Sequence, residues 1–193
     1  MSTDRPPRGI EQRTRDVLDR FARETDVWVA SADADGVPYL VPLWFVWHDG
    51  ALWLATRPAT PTARNLRTGP RVRVALGDTL DVVTVDGEAE ELNSSEVPDG
   101  AAGAFTAKTG WDPRQDTREY VWFRLRPRSI EARNGMHEMR DRWVMRDGAW
   151  AAPEAVARAA AVARGAAVAK VAAVSAVAAV SAVAVREGDA VVR

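Results

Sequence analysis

The chain has 193 residues, which is enough for one domain with a hydrophobic core. Its 26 Lys and Arg residues and 27 Asp and Glu residues leave a formal net charge of -1, so no overall positive charge attracts nucleic acid or an acidic membrane. Cysteine is absent and the two histidines, His48 and His137, lie far apart, which argues against a disulfide framework, a thiol nucleophile and a metal centre.

The N-terminal residues 1–9 are rich in Pro and Arg and are predicted to be disordered. They lack the apolar core of a signal peptide, and the longest uncharged run, 171–185, is too short for a membrane span, so we expect a cytoplasmic protein without a membrane partner. An amphipathic helix is predicted from Ile10, because apolar residues recur there on one helical face: Ile10, Val17, Leu18 and Phe21.

Strands are predicted next, since β-branched and aromatic runs alternate with the turn-forming sequences DADG and HDG. We place three antiparallel strands at about 27–33, 37–47 and 51–56, a short helix at about 61–68, and strands at about 71–77 and 81–91. Residues 93–117 are predicted to be irregular. The run EYVWFRLRPRSIEAR predicts one strand, or two with Pro127 as the break, and an Asp-Gly turn follows at 147–148.

Many short strands, few helices and no alternation of strand and helix indicate a mainly β (α+β) domain, an antiparallel barrel or sandwich, over residues 10–150. Residues 151–193 are a low-complexity tail rich in Ala and Val. Its valines recur every third residue and form no single helical face, so the tail is predicted to be a weakly packed helix without chemistry. Repeat expansion explains this composition equally well.

The short helix at about 61–68 is the best candidate for a binding site. Thr60 is a good N-cap, Pro61 suits the first helical position, and the free N–H groups of a first turn favour an anion. Thr62 adds a hydroxyl, and arginines surround the helix at positions 57, 64, 67, 71 and 73. A phosphate-bearing ligand would fit, although a solvated surface helix explains the same residues.

Four motifs in order resemble the flavin-binding split-barrel family of pyridoxamine 5'-phosphate oxidase-like proteins, and in particular its branch that uses the deazaflavin coenzyme F-420. They are G-x-P-x-x-x-P-x-W at residues 36–44, L-x-x-A-T at 52–56, A-R-N-L-R-x-x-P-R-V at 63–72 and V-x-G-x-A at 85–89. The resemblance covers residues 10–150. It implies a six-stranded antiparallel split β-barrel with short helices, a homodimer, and a cofactor in the groove between subunits.

The resemblance also implies which residues bind the cofactor. The phosphate would lie near Thr56, Thr60, Thr62, Arg64 and Asn65. The isoalloxazine-type ring would be lined by Val41, Pro42, Leu43 and Trp44. A polyanionic cofactor tail would engage Arg57, Arg64 and Arg67.

The chain departs from the vitamin oxidases of this family at the phosphate site. Where those enzymes carry Arg and Lys on the second strand, this chain has Leu40 and Phe45, and their Ser-Arg-Lys triplet is replaced by Thr60, Pro61 and Thr62. Each lost charge-assisted hydrogen bond to a phosphate is worth about 1.5–3 kcal/mol. The departures therefore favour coenzyme F-420 over FMN.

The resulting hypothesis is an oxidoreductase that transfers hydride between a deazaflavin or flavin cofactor and a small electrophilic substrate. No catalytic acid or nucleophile stands out, as expected where the cofactor carries the chemistry. An FMN-dependent oxidoreductase and a non-catalytic flavin- or haem-binding protein remain alternatives. A haem-binding protein would need His48 or His137 as an axial ligand. Glu138 and Arg142 lie four residues apart and are predicted to form an ordinary helical ion pair.

Overall fold

The computed structural model describes residues 6–162. The structure divides into two compact units, residues 1–153 and residues 154–193. Within the described part of the second unit, residues 154–162 are helical and continue a helix that begins at 153. The predicted fold of the tail beyond 162 and of residues 1–5 lies outside the described residues.

The first unit contains three α-helices and eight strands between Ile10 and Trp150. In chain order they are α1 (Ile10–Arg23), β1 (Asp26–Ala32), β2 (Pro38–His48), β3 (Ala51–Thr56), α2 (Pro61–Thr68), β4 (Arg71–Gly77), β5 (Asp81–Leu92), α3 (Asp99–Thr109), β6 (Val121–Asn134), β7 (Trp143–Arg146) and β8 (Ala149–Trp150). None of the helices described in this structure is long and apolar enough to span a bilayer.

The sheet closes into a six-stranded antiparallel barrel. Its strands follow the order β3-β2-β1-β4-β5-β6, and β6 returns to pair with β3, while β7 and β8 extend the sheet from the far half of β6. The mainly β fold and the split-barrel architecture predicted from the sequence are therefore confirmed.

Two apolar clusters hold the unit together. The barrel interior buries one side of each strand, and Val17 and Phe21 of α1 pack into it, as the amphipathic pattern predicted. The second cluster lies on the outer face of β2, β3 and β6, where α3 covers Trp53 and Trp122 with Ala101 and Phe105. Helix α3 occupies the stretch predicted to be irregular, because its Gly and Ala residues give no amphipathic pattern.

Strand β6 is continuous through Pro127, which the sequence marked as a potential break. The register shifts between Asp86 and Gly87: Asp86 pairs with Ser129 and Gly87 with Pro127, so Arg128 is the extra residue of a β-bulge. The bulge interrupts the regular hydrogen-bond ladder next to Pro127, and an irregular position of this kind tolerates a proline, which donates no backbone hydrogen bond.

Candidate functional site

A split in the barrel creates the candidate site. Strand β1 pairs with β2 from Asp26↔Trp44 to Ala32↔Pro38, but β3 pairs with β2 only from His48↔Ala51 to Phe45↔Leu54. Beyond that point β3 continues against β6, ending at Thr56↔Val121. Among the described residues, positions 38–44 of β2 therefore have no second partner strand, and the loop that follows β3 lies beside the opening.

Helix α2 begins in this loop with the cap that the sequence predicted. The Thr60 hydroxyl accepts a hydrogen bond from the Ala63 N–H at 3.2 Å and donates to the Arg57 carbonyl at 2.9 Å. The Thr56 and Thr60 hydroxyl oxygens are 3.2 Å apart. Two hydroxyls thus meet at the helix N-terminus, where the helix dipole favours negative charge.

Thr62 and Asn65 face inward from the same helix. Thr62 is 2% exposed and its hydroxyl makes no hydrogen bond to the described residues, but the hydroxyl still reaches solvent, because the indole nitrogen of Trp122 is the one fully buried side-chain polar atom without a partner among those residues. Asn65 is also buried and donates from Nδ2 to the Ser31 hydroxyl at 3.2 Å, which ties α2 to β1. The Thr62 hydroxyl is therefore available to a ligand at the first turn of α2, one residue after Pro61.

The arginines around α2 differ in how many of their guanidinium N–H groups are already hydrogen-bonded. Arg67 is held by Glu91, whose carboxylate accepts from Nε at 2.6 Å and from Nη2 at 2.8 Å. This pair raises the pKa of Arg67. Arg64 is exposed and only its Nη1 is used, donating to the Ala59 carbonyl at 2.6 Å. Arg57 is exposed without a partner in the described part of the chain. Arg57 and Arg64 are thus better placed than Arg67 to meet a new anion.

The four residues predicted to line the cofactor ring lie on opposite sides of β2. Val41 and Leu43 are partly buried against the barrel interior, whereas Pro42 and Trp44 are exposed on the outer face. Because side chains alternate along a strand, one flat ring cannot contact all four side chains from the same face. Pro42 and Trp44 are the two that remain accessible to a ligand from outside the barrel.

Trp44 belongs to an aromatic cluster that the sequence did not reveal. Its ring meets Trp111 edge to face at 5.9 Å, and Trp111 meets Tyr120 at 4.8 Å. Trp111 is fixed by its indole N–H, which donates to Asp116 at 3.1 Å. Trp111 and Tyr120 come from the segment after α3, so only the fold brings them to β2.

The two histidines, His48 and His137, do not belong to the site at the α2 N-terminus. His48 ends β2, and its ring is so close to Gly100 that a Cβ on that glycine would approach Nε2 to 3.0 Å. His137 is exposed in the turn that follows β6. Glu138 next to it does not pair with Arg142 as predicted, because residues 136–138 form a single 3-10 turn, and Arg142 binds Glu131 instead.

Glu138 is instead the centre of a buried ionic cluster. It is 1% exposed and accepts hydrogen bonds from the Arg8 N–H at 2.8 Å, the Arg8 Nη2 at 2.7 Å and the Asn134 N–H at 2.7 Å. Arg8 also forms an ion pair with Asp16 at 2.7 Å. This cluster fastens the N-terminal segment to the end of β6.

A closed antiparallel barrel, split beside β2 and carrying hydroxyls and arginines at a helix N-terminus, defines the class of the flavin-type split barrels. The family model of pyridoxamine 5'-phosphate oxidase matches residues 14–134, more than half of the chain, and the chain belongs to this family.

Solved structures with the same fold share little sequence with the chain. A conserved hypothetical protein of Mycobacterium tuberculosis is 24% identical, with a TM-score of 0.53 over 63% of this chain and 84% of that one. A haem storage protein of Vibrio cholerae is 19% identical, with a TM-score of 0.53 over 64% of this chain and 97% of that one. A haem-binding protein of Mycobacterium smegmatis is 20% identical, with a TM-score of 0.55 over 73% and 59%. No curated protein matches the sequence.

Proposed function

We propose that the protein is an oxidoreductase that transfers hydride between a deazaflavin cofactor, coenzyme F-420, and a small electrophilic substrate. Proteins of its family bind flavins. The observation that carries the proposal is the α2 N-terminus, where the Thr56 and Thr60 hydroxyls meet and the Thr62 hydroxyl, on the first turn, makes no hydrogen bond to the described residues. Spare donors beside a helix N-terminus suit a phosphate, so the residues present fit such a cofactor.

Within this proposal, Thr56 and Thr62 donate to the phosphate, whereas Thr60 would do so only by releasing the Arg57 carbonyl. Asn65 orients α2, and Arg57 and Arg64 neutralise charge on the cofactor tail. Arg67 would add to this only by exchanging Glu91 for the ligand. Pro42 and Trp44 provide an apolar outer surface for the flat ring. When bound, the cofactor supplies the hydride chemistry, and the protein positions it and excludes water.

Two positions favour the deazaflavin over FMN. Phe45 is fully buried in the barrel interior, and Leu40 is 58% exposed and apolar, so neither can supply the cation that the vitamin oxidases have there. An FMN phosphate would therefore lack two of the cations that bind it in the vitamin oxidases, whereas a longer anionic tail would be attracted by both Arg57 and Arg64.

The deciding experiment titrates the purified protein separately with coenzyme F-420, FMN and haemin, following tryptophan fluorescence and the absorbance of each ligand. Saturable micromolar binding of the deazaflavin with weak FMN binding supports the proposal. Tight FMN binding would assign the protein to the FMN-dependent class, and a Soret shift with haemin to the haem-binding class. Failure to bind any of them would refute an oxidoreductase of this kind.

Replacing Arg64 with alanine should weaken deazaflavin binding about tenfold or more, because a charge-assisted hydrogen bond contributes about 1.5–3 kcal/mol. Arg64 is exposed, and among the described residues its side chain donates only to the Ala59 carbonyl, so the melting temperature should hardly change. Thr60→Val should weaken binding too, because it removes one of the paired hydroxyls. Arg15→Ala is the matched control and should bind normally, because Arg15 is a partly exposed arginine of α1 that pairs with Glu11. Unchanged affinity in both site variants would make α2 a structural helix only.

We also propose that the protein is a homodimer, formed through the outer face of β1 and β2. Trp28 is 50% exposed there, and Leu40, Pro42 and Trp44 are exposed on the same face. A continuous apolar patch of this kind is unusual on a monomer and marks an interface. This arrangement would place the second subunit over the ring site beside Trp44.

The variant Trp28→Glu should therefore be monomeric in sedimentation equilibrium at micromolar concentration, because an unpaired carboxylate would be desolvated at the interface. Met136→Glu changes an even more exposed apolar side chain away from this face and should leave the dimer intact. A wild-type protein that sediments as a monomer would contradict the homodimer.

A further inference from the structure

A cleft of about 390 Å³ lies between α1 and the ends of β5 and β6. One wall is a polar stripe of α1, whose members share one helical face because they are three or four residues apart: Gln12, Asp16, Asp19, Arg20 and Arg23. The other wall is formed by residues beside the strand ends: Arg8, Asp81, Asn134, His137 and Glu138. Asp81 pairs with Asn134 in the sheet, so β5 begins and β6 ends at this cleft.

Ion pairs between the two walls hold several of these side chains in place. Arg8 binds Asp16 of α1 at 2.7 Å and Glu138 at 2.7 Å. Both Arg8 and Arg20 bind Asp81, Arg8 at 3.2 Å. A ligand in the cleft would therefore meet walls that are already ordered, which lowers the entropic cost of binding.

Four side chains of the cleft make no hydrogen bond or ion pair with any described residue: Asp19, Arg23, Asn134 and His137. Asp19 and Arg23 are exposed on adjacent turns of α1 and supply one free charge of each sign. Asn134 and His137 lie on the opposite wall, where an amide and a neutral imidazole each offer a hydrogen-bond donor and an acceptor. The His137 ring lies against the preceding turn, since a Cβ on Gly135 would be 3.3 Å from its Nδ1.

The charges around the cleft decide what class of ligand it can hold. Three arginines and four carboxylates line it, so neither a simple anion nor a simple cation is strongly favoured. An anion bound by Arg23 would also lie near the Asp19 carboxylate, and a cation bound by Asp19 would lie near the Arg23 guanidinium. A zwitterion avoids both repulsions, because its carboxylate and its ammonium can each meet the opposite charge.

We propose that this cleft binds a free α-amino acid with a neutral polar side chain. Arg23 donates to the carboxylate of the ligand, Asp19 accepts from its ammonium, and Asn134 and His137 bind its side chain. The cleft lies near the lower end of the usual range of ligand pockets, about 300–1,000 Å³, which suits a ligand of this size.

The cleft is separate from the site at the α2 N-terminus. Asn134 ends β6, whereas Thr56 of the α2 site pairs with Val121 at the beginning of the same strand. Binding of an amino acid therefore does not depend on the proposed oxidoreductase function, and no covalent bond forms or breaks in the cleft.

The experiment is isothermal titration calorimetry of the full-length protein with L-glutamine at low ionic strength near pH 7, where the probe is a zwitterion. We expect saturable binding with a dissociation constant below about 1 mM. Two derivatives keep the side chain and remove one charge each: N-acetyl-L-glutamine lacks the ammonium and L-glutaminamide lacks the carboxylate. Each should bind about tenfold more weakly or less, because each loses one charge-assisted hydrogen bond.

Two variants assign each charge of the ligand to its partner. Arg23→Ala should bind glutamine as weakly as the wild type binds glutaminamide, and Asp19→Asn as weakly as the wild type binds N-acetylglutamine. Arg140→Ala and Asp35→Asn are the matched controls, because both residues are exposed and do not line the cleft. Both controls should bind glutamine like the wild type, and the melting temperatures of all four variants check that they fold.

The proposal is overturned if glutamine shows no saturable binding, or if either derivative binds as tightly as glutamine. It is also overturned if Arg23→Ala and Asp19→Asn bind glutamine like the wild type. None of these results alters the outcome of the cofactor titrations, because those report on the opposite end of β6.

Discussion

Replacing Glu138 with alanine should lower the free energy of unfolding by about 3–5 kcal/mol, the usual cost of removing one partner of a buried ion pair. The substitution would remove the main hydrogen-bond acceptor of Arg8 and the acceptor of the Asn134 N–H. It would also remove the nearest negative charge from Arg13, which is 2% exposed and 3.9 Å from the Glu138 carboxylate. Urea unfolding followed by tryptophan fluorescence measures the loss.

The same carboxylate predicts a pH dependence. Burial raises the pKa of Glu138, but hydrogen bonds from Arg8 and Asn134 outweigh burial and lower it to about 2. A carboxyl whose pKa is lower in the folded state stabilises the protein fully above its unfolded pKa, near 4.3. Stability should therefore fall as the pH drops from about 4.5 towards 2, and this fall should be smaller in Glu138→Ala.

Glu88→Ala is the matched control, because Glu88 is exposed and its one ion pair with another described residue, Arg128 at 3.3 Å, lies on the surface. Such pairs contribute about 0–1 kcal/mol. If the two variants lost equal stability, the buried cluster around Glu138 would have no special structural role.

Replacing Gly87 with valine should destabilise the barrel by about 3 kcal/mol or prevent folding, because there is no room for a side chain at the bulge. A Cβ at this position would overlap the Arg126 carbonyl oxygen and approach Leu125 Cδ2 to 2.8 Å. Backbone atoms in a closed barrel cannot move aside as the end of a flexible side chain can. Thermal unfolding followed by circular dichroism provides the measurement.

The matched control is Gly103→Ala on α3, where an added Cβ meets no atom within 4 Å. Alanine favours a helix over glycine by about 1 kcal/mol, so this variant should be slightly more stable than the wild type. A Gly87→Val protein with wild-type stability would show that the bulge tolerates a side chain and would contradict the packing at this position.

Much of the fold was predictable because its signals are local. The alternation of apolar residues and the DADG and HDG turns predicted β1 to β5 within a few residues of their bounds. Thr60 and Pro61 predicted the start of α2, since an N-cap acts on N–H groups only two or three residues away. The order of short motifs predicted the family, which the family model then confirmed.

The sequence did not predict the features that depend on contacts between residues far apart in the chain. Helix α3 has no amphipathic pattern. It packs on Trp53 and Trp122 because this contact removes their apolar surface from water. The pairing of Arg67 with Glu91 joins α2 to β5, and nothing in either segment indicates the other. The assignment of the cofactor to the α2 N-terminus and to Pro42 and Trp44 stays a prediction, which the ligand titrations and the Arg64 and Thr60 variants test.

The amino-acid sequence by itself determined the antiparallel strands and the capped helix, because strand alternation, turns and caps act over a few residues. The barrel and the family followed from the resemblance of its four motifs to a known family. Only the tertiary structure decided which polar side chains already have a partner within the protein and which remain available to a ligand. Glu138 binds Arg8 across 130 positions of sequence and not the nearby Arg142, and Trp44 meets Trp111 through the packing of α3 on β2. Such pairs form when closure of the barrel brings distant segments together, and no local pattern encodes that distance.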